Sequence, residues 1–160
     1  MITWRLGPER AAEWRDIRLT ALRDAPDAFG ARLADWQHRP LADFADWLTR
    51  TTIYAAGREK GLPLASAGWQ ALDPDDPLCG ILLAVFVRAE ARGQGYGEAV
   101  VQAAMSDAAR SGMTSMRLKV HDLGGHAQSL YRRLGFQECG RPIVTNERGL
   151  REIHMARAQL

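Results

Sequence analysis

An apolar segment followed by a glycine-rich turn and an apolar-periodic segment is the feature that most limits how this chain can fold. Residues 79–87 are nearly all apolar, which predicts a central β-strand covered on both faces. The run Arg92-Gly93-Gln94-Gly95-Tyr96-Gly97 comes shortly after it. Apolar residues then recur at steps of three and four as far as Ser111-Gly112, which predicts a helix ending there. The centre of the chain is therefore predicted to be a strand, a tight turn and a helix.

Such a turn is suited to holding an anion. Glycines at 93, 95 and 97 let the main chain approach a ligand closely. The unpaired N–H groups of the first helical turn carry partial positive charge, and Arg92 adds a full one. We therefore predict a phosphate site at the start of this helix.

The spacing of the glycines separates three kinds of phosphate-binding turn. A P-loop needs a Lys after its last glycine, and none follows here. A dinucleotide fingerprint needs a third glycine where this chain has Glu98, counting from Gly93, or Val100, counting from Gly95. The pattern that fits is Arg-x-x-Gly-x-Gly after a strand.

A second segment, residues 116–136, points in the same direction. An alternating strand with Leu118 and Val120 leads into a short helical stretch, and the characteristic positions are Ala127, Leu130, Tyr131, Leu134, Gly135 and Phe136. Together the two segments resemble, in order and spacing, the two acyl-CoA signatures of the GNAT superfamily of N-acyltransferases. Residues 25–30 and 152–155 also resemble that family, so the resemblance covers essentially the whole chain.

The predicted fold is α/β (mixed α+β), a sandwich in which a mostly antiparallel sheet of six to seven strands carries helices on both faces. The order of elements is β-αα-βββ-α-β-α-ββ. Strands are expected at 2–6, 52–56, 64–69, 79–87, around 118–120, 136–141 and 151–157, and the first two helices at 8–24 and 33–50. We expect one domain spanning residues 1–160.

The resemblance implies acetyl-CoA as co-substrate. In the family the amides of the turn bind the pyrophosphate, and the edge of the core strand offers main-chain groups to the pantetheine arm. The residues implied for cofactor binding are Val85, Phe86, Val87, Arg92, Gly93, Gln94, Gly95, Tyr96, Gly97, Glu98, Ala127 and Tyr131.

The resemblance also implies acetyl transfer to a primary amine of a small molecule or peptide, by direct attack in a ternary complex. The main-chain N–H of Val87 would stabilise the oxyanion, and Tyr131 would assist the leaving thiolate. A phenol with a pKa of about 10 is a weaker acid than a thiol of about 8.5. We therefore expect Tyr131 to donate a hydrogen bond to sulfur, with complete proton transfer as the alternative.

Two departures from the family pattern concern the loop after the fifth strand and the catalytic base. Gly124 stands where family members often have Asn, and residues 81–84 include no Glu. His121 is then the nearest candidate base, with Asp122 and His126 beside it. Each of the three also fits an ordinary loop or capping role.

Two other functions stay open at this point. A module that binds acyl-CoA without catalysing transfer would explain both departures. A nucleotide-binding or oxidoreductase domain could use the glycines differently, although it lacks the fingerprint spacing.

Charge and composition exclude several partners. A net charge of +2, dispersed along the chain, argues against nucleic acid, and no apolar run is long enough for a membrane span. Cys79 and Cys139 lack metal-ligand spacing, so we expect free thiols and no metal site. The expected protein is cytoplasmic and a monomer or homodimer. Trp36 and Trp47 are candidates for an acceptor pocket whose substrate the sequence does not identify.

Overall fold

The helices and strands follow the predicted order, except that the second helix is divided in two and the last two strands are three. The computed structural model describes residues 1–71 and 73–160. The strands are β1 (Ile2–Arg5), β2 (Thr52–Gly57), β3 (Ala65–Gln70), β4 (Cys79–Val87), β5 (Ser115–His121), β6 (Gln137–Glu138), β7 (Val144–Thr145) and β8 (Arg151–Arg157). The helices are α1 (Ala11–Asp24), α2 (Leu33–Trp36), α3 (Leu41–Arg50), α4 (Tyr96–Arg110) and α5 (Gly125–Arg133).

The strands of the described residues form one eight-stranded sheet in the order β1-β2-β3-β4-β5-β8-β6, with β7 also paired to β8. Every pair is antiparallel except β4 with β5, which is parallel. The mixed α/β sandwich and the mostly antiparallel sheet are confirmed. The strand count exceeds the predicted six to seven because the last quarter of the chain forms three strands, two of them only two residues long.

Three predicted elements have clearly different bounds. The helix expected over 8–24 begins as a short 3-10 helix at Pro8–Arg10, and α1 itself starts at Ala11. The single helix expected over 33–50 is two helices, α2 and α3, separated at Pro40, whose ring and missing N–H interrupt a helix. The strand expected over 136–141 is only Gln137–Glu138, and the connection after it contains β7. Gly140 and Pro142 lie in this region, and both disfavour a continuous strand.

Each face of the sheet carries its own apolar core. On one face α4 and α5 cover the sheet, with Val100 and Phe136 almost fully buried. On the other face α1 and α3 do so, with Trp14 and Phe44 almost fully buried. Burial of each such side chain contributes roughly 1.5–3 kcal/mol. Packing on both faces therefore fixes the positions of the central strands β4 and β5.

Candidate active site

The parallel pair β4 and β5 separates part of the way along the sheet. The two strands pair only from Cys79 with Ser115 to Ile81 with Arg117. Beyond that point β4 continues to Val87 and β5 to His121 without pairing to each other. The resulting opening leads into a cavity of about 650 Å³. Its walls come from α1, the α1–α2 loop, β4, β5, α5 and the β7–β8 connection.

A β-bulge redirects β4 at the opening. Ser66 pairs with Phe86 and Gly68 with Leu83, so two residues of β4 face one of β3. Ala84 in the bulge has a φ of 56°, in the left-handed region that costs an L-residue free energy. The Ser66 hydroxyl donates a 2.9 Å hydrogen bond to the Ala84 carbonyl oxygen and holds this conformation.

The main-chain groups of β4 past the bulge alternate between β3 and the opening. The Arg88 N–H donates to the Leu64 carbonyl oxygen at 2.9 Å, so Arg88 faces β3. Because successive residues of a strand direct these groups to opposite edges, Val85 and Val87 face the opening and Phe86 faces β3. The expectation of a free edge therefore applies to Val85 and to the N–H of Val87, because Arg92 Nε bonds the Val87 carbonyl oxygen, whereas the main-chain groups of Phe86 are directed toward β3.

The glycine-rich turn adopts the conformation that its sequence requires. Gly93 and Gly95 have φ values of 72° and 87°, and Gly95 is the N-cap of α4. Helical bonding begins with the Ala99 N–H donating to the Gly95 carbonyl oxygen at 3.0 Å, which leaves the preceding amides of the first turn without an intrahelical acceptor. A Cβ added to Gly97 would lie 3.2 Å from a methyl carbon of Val87, so the turn packs closely against the end of β4.

Other residues of this turn are occupied within the protein. The Arg92 Nε donates to the Val87 carbonyl oxygen at 3.3 Å, and the Gln94 amide donates to the Glu90 carbonyl oxygen at 3.0 Å. The Tyr96 ring is buried in the core beneath α4. Of the turn residues predicted to bind the cofactor, Tyr96 can therefore offer its main chain but not its ring.

Tyr131 lies on α5 and lines the cavity together with Val85 and Ala127. Its ring is buried and packs edge-on against Phe136, with centroids 6.0 Å apart. The hydroxyl makes no hydrogen bond to any residue in the described ranges. Burial raises the pKa of the phenol above its ordinary value, so the group stays protonated at neutral pH. A protonated donor without a protein partner thus lies at the opening.

His121 ends β5 and also lines the cavity. Its Nδ1 is buried and has no hydrogen-bond partner within residues 1–71 and 73–160. Glu152 of β8 lies directly opposite, because His121 and Glu152 are register partners and the flanking bond runs from the Asp122 N–H to the Arg151 carbonyl oxygen. Glu152 also lines the cavity and accepts a 3.2 Å hydrogen bond from Asn146.

The other two candidate bases lie elsewhere. Asp122 is 3.9 Å from Arg151 in an ion pair, and His126 is exposed on α5. Neither belongs to the cavity wall formed by the described residues. Among the three candidates from the sequence, only His121 is brought into the cavity.

Gln128 fixes the loop between β5 and α5, a role that the sequence did not reveal. Its buried side chain donates to the carbonyl oxygens of His121 and Asp122 at 3.1 and 3.2 Å. At Gly124 an added Cβ would lie 3.1 Å from the His121 carbonyl oxygen. The side chain of Gln128, one helical turn after Gly124, therefore holds the loop in place. A side chain at position 124 would be crowded against the His121 carbonyl oxygen.

The β7–β8 connection is bonded to the α1–α2 loop on one side of the cavity. Arg148, between β7 and β8, donates to the carbonyl oxygens of Phe29 and Ala31 at 2.7 and 3.3 Å. Trp47 lines the cavity from α3, as the sequence suggested, whereas Trp36 packs behind it with ring centroids 6.3 Å apart. This side of the cavity is enclosed by aromatic rings and by the Arg148 contacts.

Neither a membrane span nor a metal cluster is found in the part of the chain that the structure describes. None of its helices has the length and apolar character needed to cross a bilayer. No group of three or more His, Cys, Asp or Glu side chains in the same residues is arranged to hold a metal ion.

Comparison with known proteins finds the same fold in several solved structures. A structure of a ribosomal-protein-alanine N-acetyltransferase from Brucella melitensis superposes with a TM-score of 0.79 at 19% identity, covering 99% of both chains. A GNAT acetyltransferase from Streptococcus pneumoniae gives 0.81 at 17% identity, again over 99% of both chains. No protein with a curated description matches the sequence.

A third structure was solved with acetyl-CoA. It is a putative acetyltransferase from Salmonella typhimurium, with a TM-score of 0.76 at 20% identity over 98% of this chain and 92% of that chain. In sequence, the model of the Acetyltransferase (GNAT) family matches residues 12–136, more than half of the chain and including both predicted signatures. The protein is therefore an acyltransferase that belongs to the GNAT family of acetyltransferases.

Proposed function

We propose that this protein transfers an acetyl group from acetyl-CoA to a primary amine of a small molecule or peptide, by direct attack in a ternary complex. The observation that carries the proposal is the opening between β4 and β5, where Tyr131 with an unpartnered hydroxyl lines the cavity and from where β4 runs on to Val87, against which the glycine-rich turn packs. A thioester entering from the turn would reach the cavity through this opening.

The cofactor side uses the main chain more than side chains. The pantetheine amides add to β4 at Val85, whose main-chain groups face the opening, much as a short strand would, and the Val87 N–H beyond them stays free for the thioester oxygen. The pyrophosphate sits on the free amides of the first turn of α4. Arg92, tied to the end of β4 by its bond to Val87, contributes positive charge beside them.

The transfer requires a neutral amine, an oxyanion donor and a partner for sulfur. The amine nitrogen attacks the thioester carbonyl carbon, and the oxygen gains charge next to the Val87 N–H. The C–S bond then breaks while Tyr131 donates its hydrogen bond to the departing sulfur. Because burial raises the pKa of Tyr131, donation without complete proton transfer is the favoured role.

His121 is the proposed route for the proton lost by the amine. His121 lines the cavity, and its buried Nδ1 lacks a partner among the described residues. Glu152, its register partner on β8, lines the same cavity. His121 and Glu152 together would take the role of catalytic base that a Glu on β4 has in other family members.

The test combines a binding measurement with an acceptor screen. Acetyl-CoA should raise the melting temperature while NAD leaves it unchanged, because only a ligand that binds the folded state stabilises it. A panel of primary amines should then release CoA thiol in the presence of acetyl-CoA. Stabilisation by acetyl-CoA without thiol release from any amine would instead indicate the catalytically inactive acyl-CoA-binding module. No stabilisation by acetyl-CoA would refute both.

A further inference from the structure

Arg18 is a cation in the cavity wall without an anionic partner. It projects from α1, is half-buried, and its guanidinium carbon lies 4.9 Å from the ring centroid of Phe29 and 5.6 Å from that of Trp14. No hydrogen bond or ion pair connects it to any of the residues that the structure describes. Arg18 lines the cavity that also contains the opening between β4 and β5.

The other basic side chains of this wall are engaged or open to water. Arg32 lies 3.6 Å from Glu147 in an exposed ion pair. Arg148 is bonded to two carbonyl oxygens, and Lys119 is exposed on β5. Arg18 thus differs from its neighbours because it is withdrawn from water and still lacks a counter-charge in the described part of the chain.

Withdrawing a guanidinium from water is unfavourable unless something replaces its hydration. Burial lowers the pKa of Arg18 to about 10, so the group remains a cation at neutral pH. The two aromatic faces offset part of this cost. They leave the N–H donors unsatisfied, however, because a ring face does not replace an oxygen acceptor.

A second unsatisfied donor lies in the same wall. The indole Nε1 of Trp47 is buried and has no hydrogen-bond partner in the described ranges. Trp47 comes from α3 and Arg18 from α1, so both belong to the face of the sheet covered by these helices. Two donors without acceptors favour a ligand group that only accepts hydrogen bonds.

We propose that Arg18 binds the carboxylate of the acceptor, so that the acceptor is a small molecule bearing both a primary amine and a carboxylate, as a free amino acid does. This inference rests on the proposed function. A planar carboxylate matches the two parallel donors of one guanidinium. A phosphate dianion would be less well neutralised by a single cation.

Contacts near Arg18 favour a small acceptor. The Arg148 bonds to the Phe29 and Ala31 carbonyl oxygens and the exposed Arg32–Glu147 pair join the β7–β8 connection to the α1–α2 loop, and both segments line the cavity. We expect a free amino acid to fit between these segments without breaking their contacts. In the reaction a C–N bond forms and the C–S bond breaks. The amine loses one proton to His121, the departing thiolate, hydrogen-bonded by Tyr131, takes one from water as CoA leaves, and the carboxylate is unchanged.

The test compares matched triplets, each an amino acid, its primary amide and its decarboxylated amine, in assays of acetyl-CoA-dependent thiol release. The wild-type protein should prefer the carboxylate member by about 10- to 100-fold in kcat/KM, as expected for a charged hydrogen bond. Arg18→Gln should abolish this preference by raising the KM for the amino acid, while the KM for acetyl-CoA stays unchanged. Arg18→Lys should retain part of it, and the matched control Arg15→Gln, at an exposed position of α1, should retain it fully.

Equal turnover of the three members by the wild-type protein, or an unchanged preference in a folded Arg18→Gln protein, would overturn the inference. If no amine releases thiol, the proposed function fails, and calorimetry on the CoA-bound protein still decides about Arg18. Heat on titrating amino acids into wild type but not into Arg18→Gln supports the carboxylate site, and no heat with wild type refutes it. Preference for phosphorylated amines over amino acids would also refute it. Melting temperatures of all variants check that they fold.

Discussion

Ser66 and Ala84 are joined by a 2.9 Å hydrogen bond from the serine hydroxyl to a carbonyl oxygen whose residue has a φ of 56°. The bond is buried, and it spans the bulge that turns β4 toward the opening. Ser66→Ala should lower the free energy of unfolding by about 1–2 kcal/mol, the usual cost of leaving a buried acceptor unsatisfied. It should also weaken acetyl-CoA binding, because the groups of Val85 and Val87 lose their alignment. Denaturant unfolding and calorimetry measure the two effects.

The control for this prediction is Ser106→Ala, at an exposed position of α4. It should change neither quantity. Wild-type affinity for acetyl-CoA in Ser66→Ala would show that the bulge does not need this bond.

Gly95 and Gly112 provide a matched pair for the glycine-rich turn. Their φ values are 87° and 99°, and they lie before and after the same helix, α4. Substitution of either by Ala should cost about 1–2 kcal/mol of stability, because an L-residue is strained there. Only Gly95→Ala should also weaken acetyl-CoA binding, by about tenfold or more if one charge-assisted hydrogen bond is lost. Equal affinities of the two variants in calorimetry would contradict a role for the turn in cofactor binding.

Removal of the Tyr131 hydroxyl tests the chemical step. Tyr131→Phe should lower kcat by about 10- to 100-fold, in the range typical of a lost proton donor. Dissociation of acetyl-CoA and the melting temperature should change little, since the hydroxyl has no partner within the described residues. Steady-state kinetics with a responsive amine measure the effect.

Tyr54→Phe is the matched control, because that hydroxyl donates a 3.0 Å hydrogen bond to Asp107 away from the cavity. It should lose stability and keep its kcat. A Tyr131→Phe protein with wild-type kcat would eliminate the proposed role.

His154 should make stability dependent on pH in the acid range. Partial burial lowers its pKa, and the neighbouring charges of Lys119, Arg141 and Arg117 lower it further, with Glu152 opposing them. The unfolded chain, with a histidine pKa of about 6.5, therefore binds this proton more tightly than the folded protein does. The stability that neutral His154 contributes is therefore fully present above about pH 6.5, and it is lost as the pH falls from there toward the lower pKa of the folded protein.

His154→Gln should consequently reduce the slope of the free energy of unfolding between about pH 7 and pH 5. The matched control is His38→Gln, at an exposed position, which should leave the slope near that of wild type. Urea unfolding at several pH values measures both. An equally steep decline in His154→Gln would contradict the prediction.

The fold was largely predictable because its signals are local. The apolar run of β4, the glycines before α4 and the periodicity of that helix each predict an element from neighbouring residues alone. Pro40, by contrast, interrupts a segment whose apolar positions otherwise fit one helix. The strands near the end were missed in number because two-residue pairings such as β7 with β8 leave almost no pattern in the sequence.

The acceptor side of the site was less predictable because it depends on register and on packing between distant segments. Glu152 faces His121 only because β8 pairs with β5 in one particular register. In the sequence, Arg18 fits an ordinary polar position of α1, and Gln128 resembles a surface residue of a short helix. Nothing in the neighbouring sequence marks any of the three.

The pairing of β4 with β5 over only three residue pairs has a mechanical consequence. In the residues that the structure describes, the sheet consists of two halves, β1 to β4 and β5 to β8, which main-chain hydrogen bonds join only over this short stretch. A pantetheine arm hydrogen-bonded along β4 would fill the gap and connect the two halves. Relative movement of the two halves should therefore depend on whether acetyl-CoA or free CoA is bound.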